Sequence, residues 1–392
     1  MKNKFIIILI LFVLFEWMRV YFIMPMPGSQ RINSINVAYT LHSIRWVIRL
    51  VLLVVLILFF KQSWKQHKIS TSVGSIILIV SIYLTNFPMS ADTMFKKITE
   101  QNFASKKGSL IDTNRLIIGV VIGNEARAYP INILAHHHQV KDVINGKDVL
   151  VTYCSVCRTG RAYNPSINGK ITDFRLVGMD HFNAMFEDPE TKSWWRQVNG
   201  ECIAGKLKGK KLEEIQCYQT TLKTWLALYP NSLILQEDSK FKEEYKELEK
   251  FDDGSSNSSL TGRDKTPESF KSWVVWVKNQ NQIAVADWSE IEKNNFVIKE
   301  IGSSKNLIIS NDKQSVFAFD LTPLTKAIDP QTIKTIKVQP STFEIVTNLG
   351  RSFIFSYKGI EQNSKNSALG LPVLPCTQEF RHSFIQFQQN PK

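Results

Sequence analysis

The chain has 392 residues, enough for a membrane segment and two ordinary domains of roughly 100–200 residues each. Its formal charge is +13, from 48 Lys and Arg against 35 Asp and Glu. Residues 1–95 carry +7 of this, through nine Lys or Arg against Glu16 and Asp92, so half the excess lies beside apolar spans where lipid headgroups are its partners. The rest has no run of five basic residues and no aromatic-studded basic motif, which speaks against a nucleic-acid binder. It also lacks a Walker loop, a dinucleotide-binding glycine fingerprint, HExxH and GxSxG, so no nucleotide cofactor or hydrolase is expected.

Three apolar spans come first: Phe5 to Met24, Trp46 to Phe60 and Val73 to Phe87. The last two are short for a hydrocarbon core ~30 Å thick, so flanking residues must complete them. No A-x-A cleavage site follows the first, which is followed by MPMPGSQ. Glu16 and Arg19, three apart, share a helix face and can pair. Lys2, Lys4, Lys61, Lys65 and Lys68 fall on one side of a three-span arrangement, and Arg31 and Arg45 on the other. That asymmetry puts the N-terminus inside and the globular part outside.

From Leu116 the pattern becomes short strands separated by turns. Asn145-Gly146 between β-branched runs is a hairpin signal, and the apolar positions alternate in DVLVTYC. TLKTWLALY, Thr221 to Tyr229, predicts a helix stopped by Pro230. Residues 237–268 are charged and serine-rich and read as a linker with one polar helix. Beyond it the apolar pattern repeats: Ile118 corresponds to Val275, Cys217 to Cys376 and Trp225 to Phe384, at offsets between 156 and 159. The expected fold is α+β, a three-helix transmembrane segment followed by a mostly antiparallel part made of two diverged copies. Its divisions are 1–92, 93–236 with the site, the linker 237–268, and 269–392.

The sharpest local feature is Cys154-Ser155-Val156-Cys157, directly after DVLVTY. Two thiols at this spacing chelate a soft ion, cycle as a redox pair, or staple one tight turn. One hairpin upstream lies His136-His137-His138, so a Cys₂His cluster with His137 is reasonable, with Met185, His181 or water in fourth place. Strand alternation would put His136 and His138 on one side and His137 on the other, and two of the three read as a solvated or loop cluster. The second copy has Asn, Asp and Ser where the first has His137, Cys154 and Cys157, so strand packing does not require those three. A thioredoxin-like helix is not expected after Cys157, because RTGRAYNP is a poor helix start. Covalent haem is excluded, because Arg158 and not His follows the second Cys. Met179, Met185, Trp194 and Trp195 read as core, and Cys217 and Cys376 as packing residues.

RAYPINIL, HHHQVKDVINGKDVLVTYCSVCRTG and SWWRQVNGECIAGKLKG closely resemble the bacterial and archaeal family called domain of unknown function 3179. The resemblance is strong over about Leu116 to Asn231 and weak beyond. It implies an extracytoplasmic or membrane-attached protein, of the membrane-anchored Bacteroidetes-type branch, in the inner membrane and facing the periplasm. No activity is inherited with it. By position the family histidine falls on His137, its aspartate on Asp142, its cysteines on Cys154 and Cys157, and its methionine on Met185. This chain departs from the pattern at His138, Lys141, Ser155, Arg158 and Cys202, and the basic Arg158 would favour thiolate.

The leading expectation is a membrane-anchored protein holding copper or zinc through Cys154, Cys157 and His137, with Met185 as fourth ligand. A thiol–disulfide oxidoreductase using Cys154 and Cys157 is the alternative, and a non-catalytic module with a structural CxxC is the third. The lipid bilayer is the expected partner, and no protein partner is indicated.

Overall fold

The computed structural model describes residues 4–251, 254–280, 282–324, 329–359 and 370–389. The chain divides into two compact units that are not contiguous in sequence, residues 1–96 with 172–211, and residues 97–171 with 212–392. The boundary expected at residue 92 therefore misses an excursion, 172–211, that joins the N-terminal helices.

In the first unit, helices span Lys4–Tyr21, Ile35–Ser43, Arg45–Gln66 and Lys68–Asn86. Two of them, Arg45–Gln66 and Lys68–Asn86, are long and apolar enough to cross a membrane. The first runs on past its apolar span to Gln66 and the second starts before its span, at Lys68, because flanking polar residues continue each helix. These helices are inside out relative to a water-soluble bundle. Leu58 is 72% exposed, whereas Glu16 is 0% exposed, with Ser63, Thr71 and Thr85 also buried.

The buried carboxylate explains the arrangement. Arg49 forks onto Glu16, Nε to Oε1 at 2.6 Å and Nη2 to Oε2 at 2.7 Å. Arg19 Nη2 lies 3.4 Å from the same carboxylate and donates to the Thr85 carbonyl at 3.1 Å. Both arginines also donate to Asn86 Oδ1, so one charge ties three helices. The Glu16–Arg19 pair anticipated from spacing is present, but Arg49 is the closer partner.

Residues 175–204 form an antiparallel sheet of four strands, Arg175–Asp180, Asn183–Glu187, Trp194–Arg196 and Cys202–Ala204. Its apolar face buries Val177, Met185, Trp194, Ile203 and Ala204 against Val20, Ile23, Met24 and Ala38. The Met179 amide donates to the Ile23 carbonyl at 2.8 Å, and Gly178 leaves the room, because a Cβ there would sit 2.4 Å from that oxygen. This shared core, with a backbone bond across it, is why 172–211 belongs with the helices.

In the second unit one order of elements occurs twice. Leu116–Ile122 and Glu125–Pro130 form a hairpin, and helix Ile131–His137 follows. A second hairpin, Gln139–Ile144 with Lys147–Cys154, leads into Thr159–Tyr163, and Cys217–Thr221 returns beside the first strand. Asn145 and Gly146 both have positive φ, as the tight turn between these strands demands. Helix Leu222–Leu228 closes the run, with the Thr221 side chain accepting from the Thr224 amide.

The second run uses Trp273–Asn279, Gln282–Asp287, helix Trp288–Asn294, Phe296–Ile301, Ser304–Ser310, Val316–Asp320 and Cys376–Phe380, then helix Arg381–Phe384. It adds a three-stranded sheet, Ile333–Val338, Thr342–Thr347 and Ser352–Ser356.

The charged stretch after residue 237 departs from a simple linker. Short helical turns at Ser239–Phe241, Lys242–Glu247 and Glu249–Phe251 bury Phe241 and Tyr245 in the first core, beside Ile133, Leu134 and Val151. Phe241, Tyr245 and Leu248, at i, i+4 and i+7, form one apolar stripe among the charges, and it fixes the segment.

Replacing Arg49 with Met leaves the Glu16 carboxylate buried without its fork. The full chain in detergent should lose about 3–5 kcal/mol of stability. Adding Glu16→Gln should recover part of the loss in a thermal melt, and an unchanged melting point for Arg49→Met would contradict this role.

Candidate functional site

The strand Lys147–Cys154 turns at residues 155–158 and returns as Thr159–Tyr163, with Cys154 opposite Thr159 as the last ladder pair. Both cysteines therefore sit at a hairpin tip, with a strand and no helix after the second. Arg158 closes the turn with φ 58°. A hairpin tip ordinarily meets water, yet Cys154 is 1% and Cys157 0% exposed, and neither is in a disulfide.

The cover comes from the second run of the same unit. The Phe380 amide donates to the Cys157 carbonyl at 2.9 Å. Lys271 Nζ donates to the Val156 carbonyl at 3.3 Å and also to the Leu260 carbonyl, and lies 4.5 Å from the centre of the Phe380 ring. His382 Nε2 is 3.0 Å from the Val156 oxygen and 3.5 Å from Lys271 Nζ. Arg158 lays its guanidinium 3.7 Å from the centre of the Trp273 ring and donates to Gln378 Oε1 at 3.0 Å. Backbone bonds, one ammonium and one imidazole thus hold the turn that carries both sulfurs.

Burial and the neighbouring Lys271 cation push the His382 imidazole down to about 3, against the opposing pull of the Val156 carbonyl. A neutral ring donating Nε2–H to that carbonyl offers no lone pair to Lys271, which is held by the two carbonyls instead. Burial lowers Lys271, while the thiols of Cys157 and Cys154 act in the opposite sense.

The second run offers an internal comparison, because its own hairpin tip, residues 311–315, meets the helix of the first run. There the contacts are side-chain hydrogen bonds. Asp312 Oδ2 accepts from Thr221 Oγ1 at 2.7 Å and Thr224 Oγ1 at 3.1 Å, and Ser315 Oγ accepts from the Thr221 amide at 2.8 Å. Asp, Ser and Thr suffice to seat such a tip, so seating alone does not call for two thiols.

His137 ends a helix, and its Nε2 is 2.6 Å from Tyr245 Oη, with the ring packed on Phe241. His138 is the left-handed residue after that helix, and its carbonyl accepts from the Tyr153 amide at 3.0 Å. Burial pushes its imidazole down to about 4.

The reading of the triplet as alternating on a strand, with two of the three solvated, is corrected. Pro130 opens a helical turn, and His137 and His138 are both buried. Asp142 accepts from Tyr129 Oη at 2.6 Å, a structural bond. Met185 is in the core of the first unit, where His181 Nδ1 also lies 2.7 Å from Asp180 Oδ1. Cys202, raised to about 11 by burial, donates to the Ala204 carbonyl.

Cys217 and Cys376 share a cleft of about 280 Å³ with Arg161, Glu214 and Trp276, and burial raises both thiols to about 12. Among the described residues, no group of three or more His, Cys, Asp or Glu side chains is placed to hold a metal ion.

Lys271 and His382 were not foreseen. They lie more than a hundred residues from the cysteines, and a lone Lys or His in an apolar strand-rich sequence carries no local mark.

Residues 87–391 match the family described as Protein of unknown function (DUF3179). The chain belongs to that family. No curated protein and no solved structure matches it. The DUF3179 match begins where helix Lys68–Asn86 ends, and it takes in the 175–204 sheet, the cysteine hairpin, Lys271 and His382.

His382 and His138 remain neutral in the fold to about pH 3 and 4, whereas in the unfolded chain they titrate near 6.5. Between those limits the unfolded state binds more protons, so stability should fall as pH drops below about 6.5, by roughly 1.4 kcal/mol per unit for each histidine. Melts of the full chain between pH 7 and 4.5 should show that slope, and His382→Gln should flatten it. Equal slopes for both proteins would contradict the assignment.

Proposed function

We propose that this chain is a membrane-anchored, extracytoplasmic protein that binds a soft metal ion, copper or zinc, through the thiolates of Cys154 and Cys157. The observation that carries the reading is the placement of two thiols, neither in a disulfide, on one buried turn whose backbone is held by the Lys271 ammonium. Soft ions select thiolate ligands, binding requires both thiols to lose their protons, and a neighbouring cation favours that loss. His137, whose Nε2 is paired with Tyr245 Oη, would join as a ligand through Nδ1. Met185, the remaining candidate by family position, lies in the core of the first unit.

The anchor in this proposal is a three-helix, multi-pass segment in the inner membrane, with the N-terminus inside and the DUF3179 region in the periplasm. Supporting it are two helices of spanning length, the outward-facing Leu, Ile and Val side chains, and the lysines at the Lys4, Lys61, Lys65 and Lys68 end. The second unit is read as a duplication. The repeated order of strands and helices supports this, as do Gln219 and Gln378, at matching positions, which bond to each other through Gln378 Nε2 and the Gln219 carbonyl at 3.0 Å.

A second reading, thiol–disulfide exchange, is favoured by the shared tight turn, which spaces the two cysteines as Cys-x-x-Cys. Burial weighs against it, because attack by a second thiol needs access.

Elemental analysis of the full chain, purified in detergent without added metal, decides between the two readings. The expected result is about one copper or zinc per chain, lost in Cys154→Ser and Cys157→Ser. A metal-free protein that takes up neither ion, but cycles with a potential above about −250 mV, would replace this proposal with the redox reading.

A further inference from the structure

We infer that the two-sulfur turn is built for a monovalent soft ion in two-coordinate geometry, Cu(I) in chemical class, and that Lys271 sets this preference for charge. The inference rests on the metal-binding reading above and narrows it to one ion type.

The first argument is the number of ligands. A structural zinc site closes with four protein ligands, and a catalytic one with three. Among the described residues no third His, Cys, Asp or Glu completes such a group around the cysteines. The groups that meet the backbone of their turn are already engaged. The Val156 carbonyl takes Lys271 and His382, and the Cys157 carbonyl takes the Phe380 amide. Two thiolates alone satisfy a monovalent soft ion, which accepts linear coordination, and leave a divalent ion short of ligands.

The second argument is charge. Binding exchanges two thiol protons for the metal: Cys154–SH and Cys157–SH each release a proton to solvent, two metal–sulfur bonds form, and no electron moves. With a monovalent ion the complex carries one negative charge. A buried net charge is costly unless a counter-charge sits beside it.

Lys271, whose Nζ bonds the turn between the two cysteines at Val156, supplies that counter-charge. Arg158, the next residue in the chain, lies on the faces of Trp273 and Trp288 and donates to Gln378; these partners are neutral and do not cancel its charge, which adds to the field of Lys271. A divalent ion would give a neutral dithiolate complex and leave the Lys271 cation uncompensated.

The test uses the full chain in detergent, reduced and anaerobic, titrated with Cu(I) and Zn(II) against chromophoric chelators, with X-ray absorption on the Cu(I)-loaded sample. Expected are one Cu(I) per chain, a two-coordinate edge with two sulfur scatterers, and Cu(I) binding weakened roughly ten-fold or more in Lys271→Met, the scale of one nearby charge in protein. Zn(II) binding should be unchanged or tighter in that variant, and Lys271→Arg should retain the wild-type preference.

If the wild type binds no Cu(I) that Cys154→Ser abolishes, the underlying metal reading fails. If Cu(I) binds but shows three or four ligands, or Lys271→Met leaves the Cu(I)-to-Zn(II) preference where it was, this inference alone is overturned. Should Lys271→Met not fold, Lys271→Arg and the scatterer count still decide it.

Discussion

The burial of one hairpin tip governs what the second unit can do. Residues 155–158 connect two strands and in isolation would project into water, where two thiols would be reactive toward anything passing. The Phe380 amide, Lys271 and His382 take up the carbonyls of Val156 and Cys157, so the turn keeps its hydrogen bonds while its sulfurs leave solvent. A turn is ordinarily excluded from a protein interior by its unsatisfied backbone groups. Here partners for two of those carbonyls come from a run of chain more than a hundred residues away, and the thiols acquire a dry, cationic setting as a consequence.

The N-terminal unit solves the converse problem. Its helices turn apolar side chains outward and bury a carboxylate, a solution that works only because Arg49 meets Glu16 with both nitrogens and Arg19 and Asn86 complete the cluster. The sheet at 175–204 then closes over the helix ends by burying Met185 and Trp194 against Val20, Ile23 and Ala38. Met185, which by position in the family pattern looked like a ligand, lies in that core.

Local features of the sequence were legible where local physics decides them. The alternation in DVLVTYC gave the strand Lys147–Cys154, Asn145-Gly146 gave its turn, and the apolar spacing in TLKTWLALY gave helix Leu222–Leu228. The helices at Arg45 and Lys68 followed from apolar runs. The histidine triplet misled, because seven residues are too few to tell a helical turn from a strand. The outcome there is set by burial of Ile131, Ile133 and Leu134 in the first core.

The division of the chain at 172–211 and the arrival of Lys271 and His382 at the cysteines were invisible for a deeper reason. Both depend on contacts between segments far apart in sequence, and no periodicity records them. Family resemblance marked Cys154, Cys157 and His137 together, yet the structure ties His137 to Tyr245 and brings Lys271 to the sulfurs' turn.

The chemistry of the site depends on the cover over the turn that carries Cys154 and Cys157. Labelling kinetics of single cysteines in the reduced full chain, read by mass spectrometry, measure this directly. The account predicts that Cys154 and Cys157 react with a small alkylating agent far more slowly than in the denatured chain, at a common rate set by one opening event. Labelling of both at the speed of an exposed thiol, or of one cysteine much faster than the other, would contradict it.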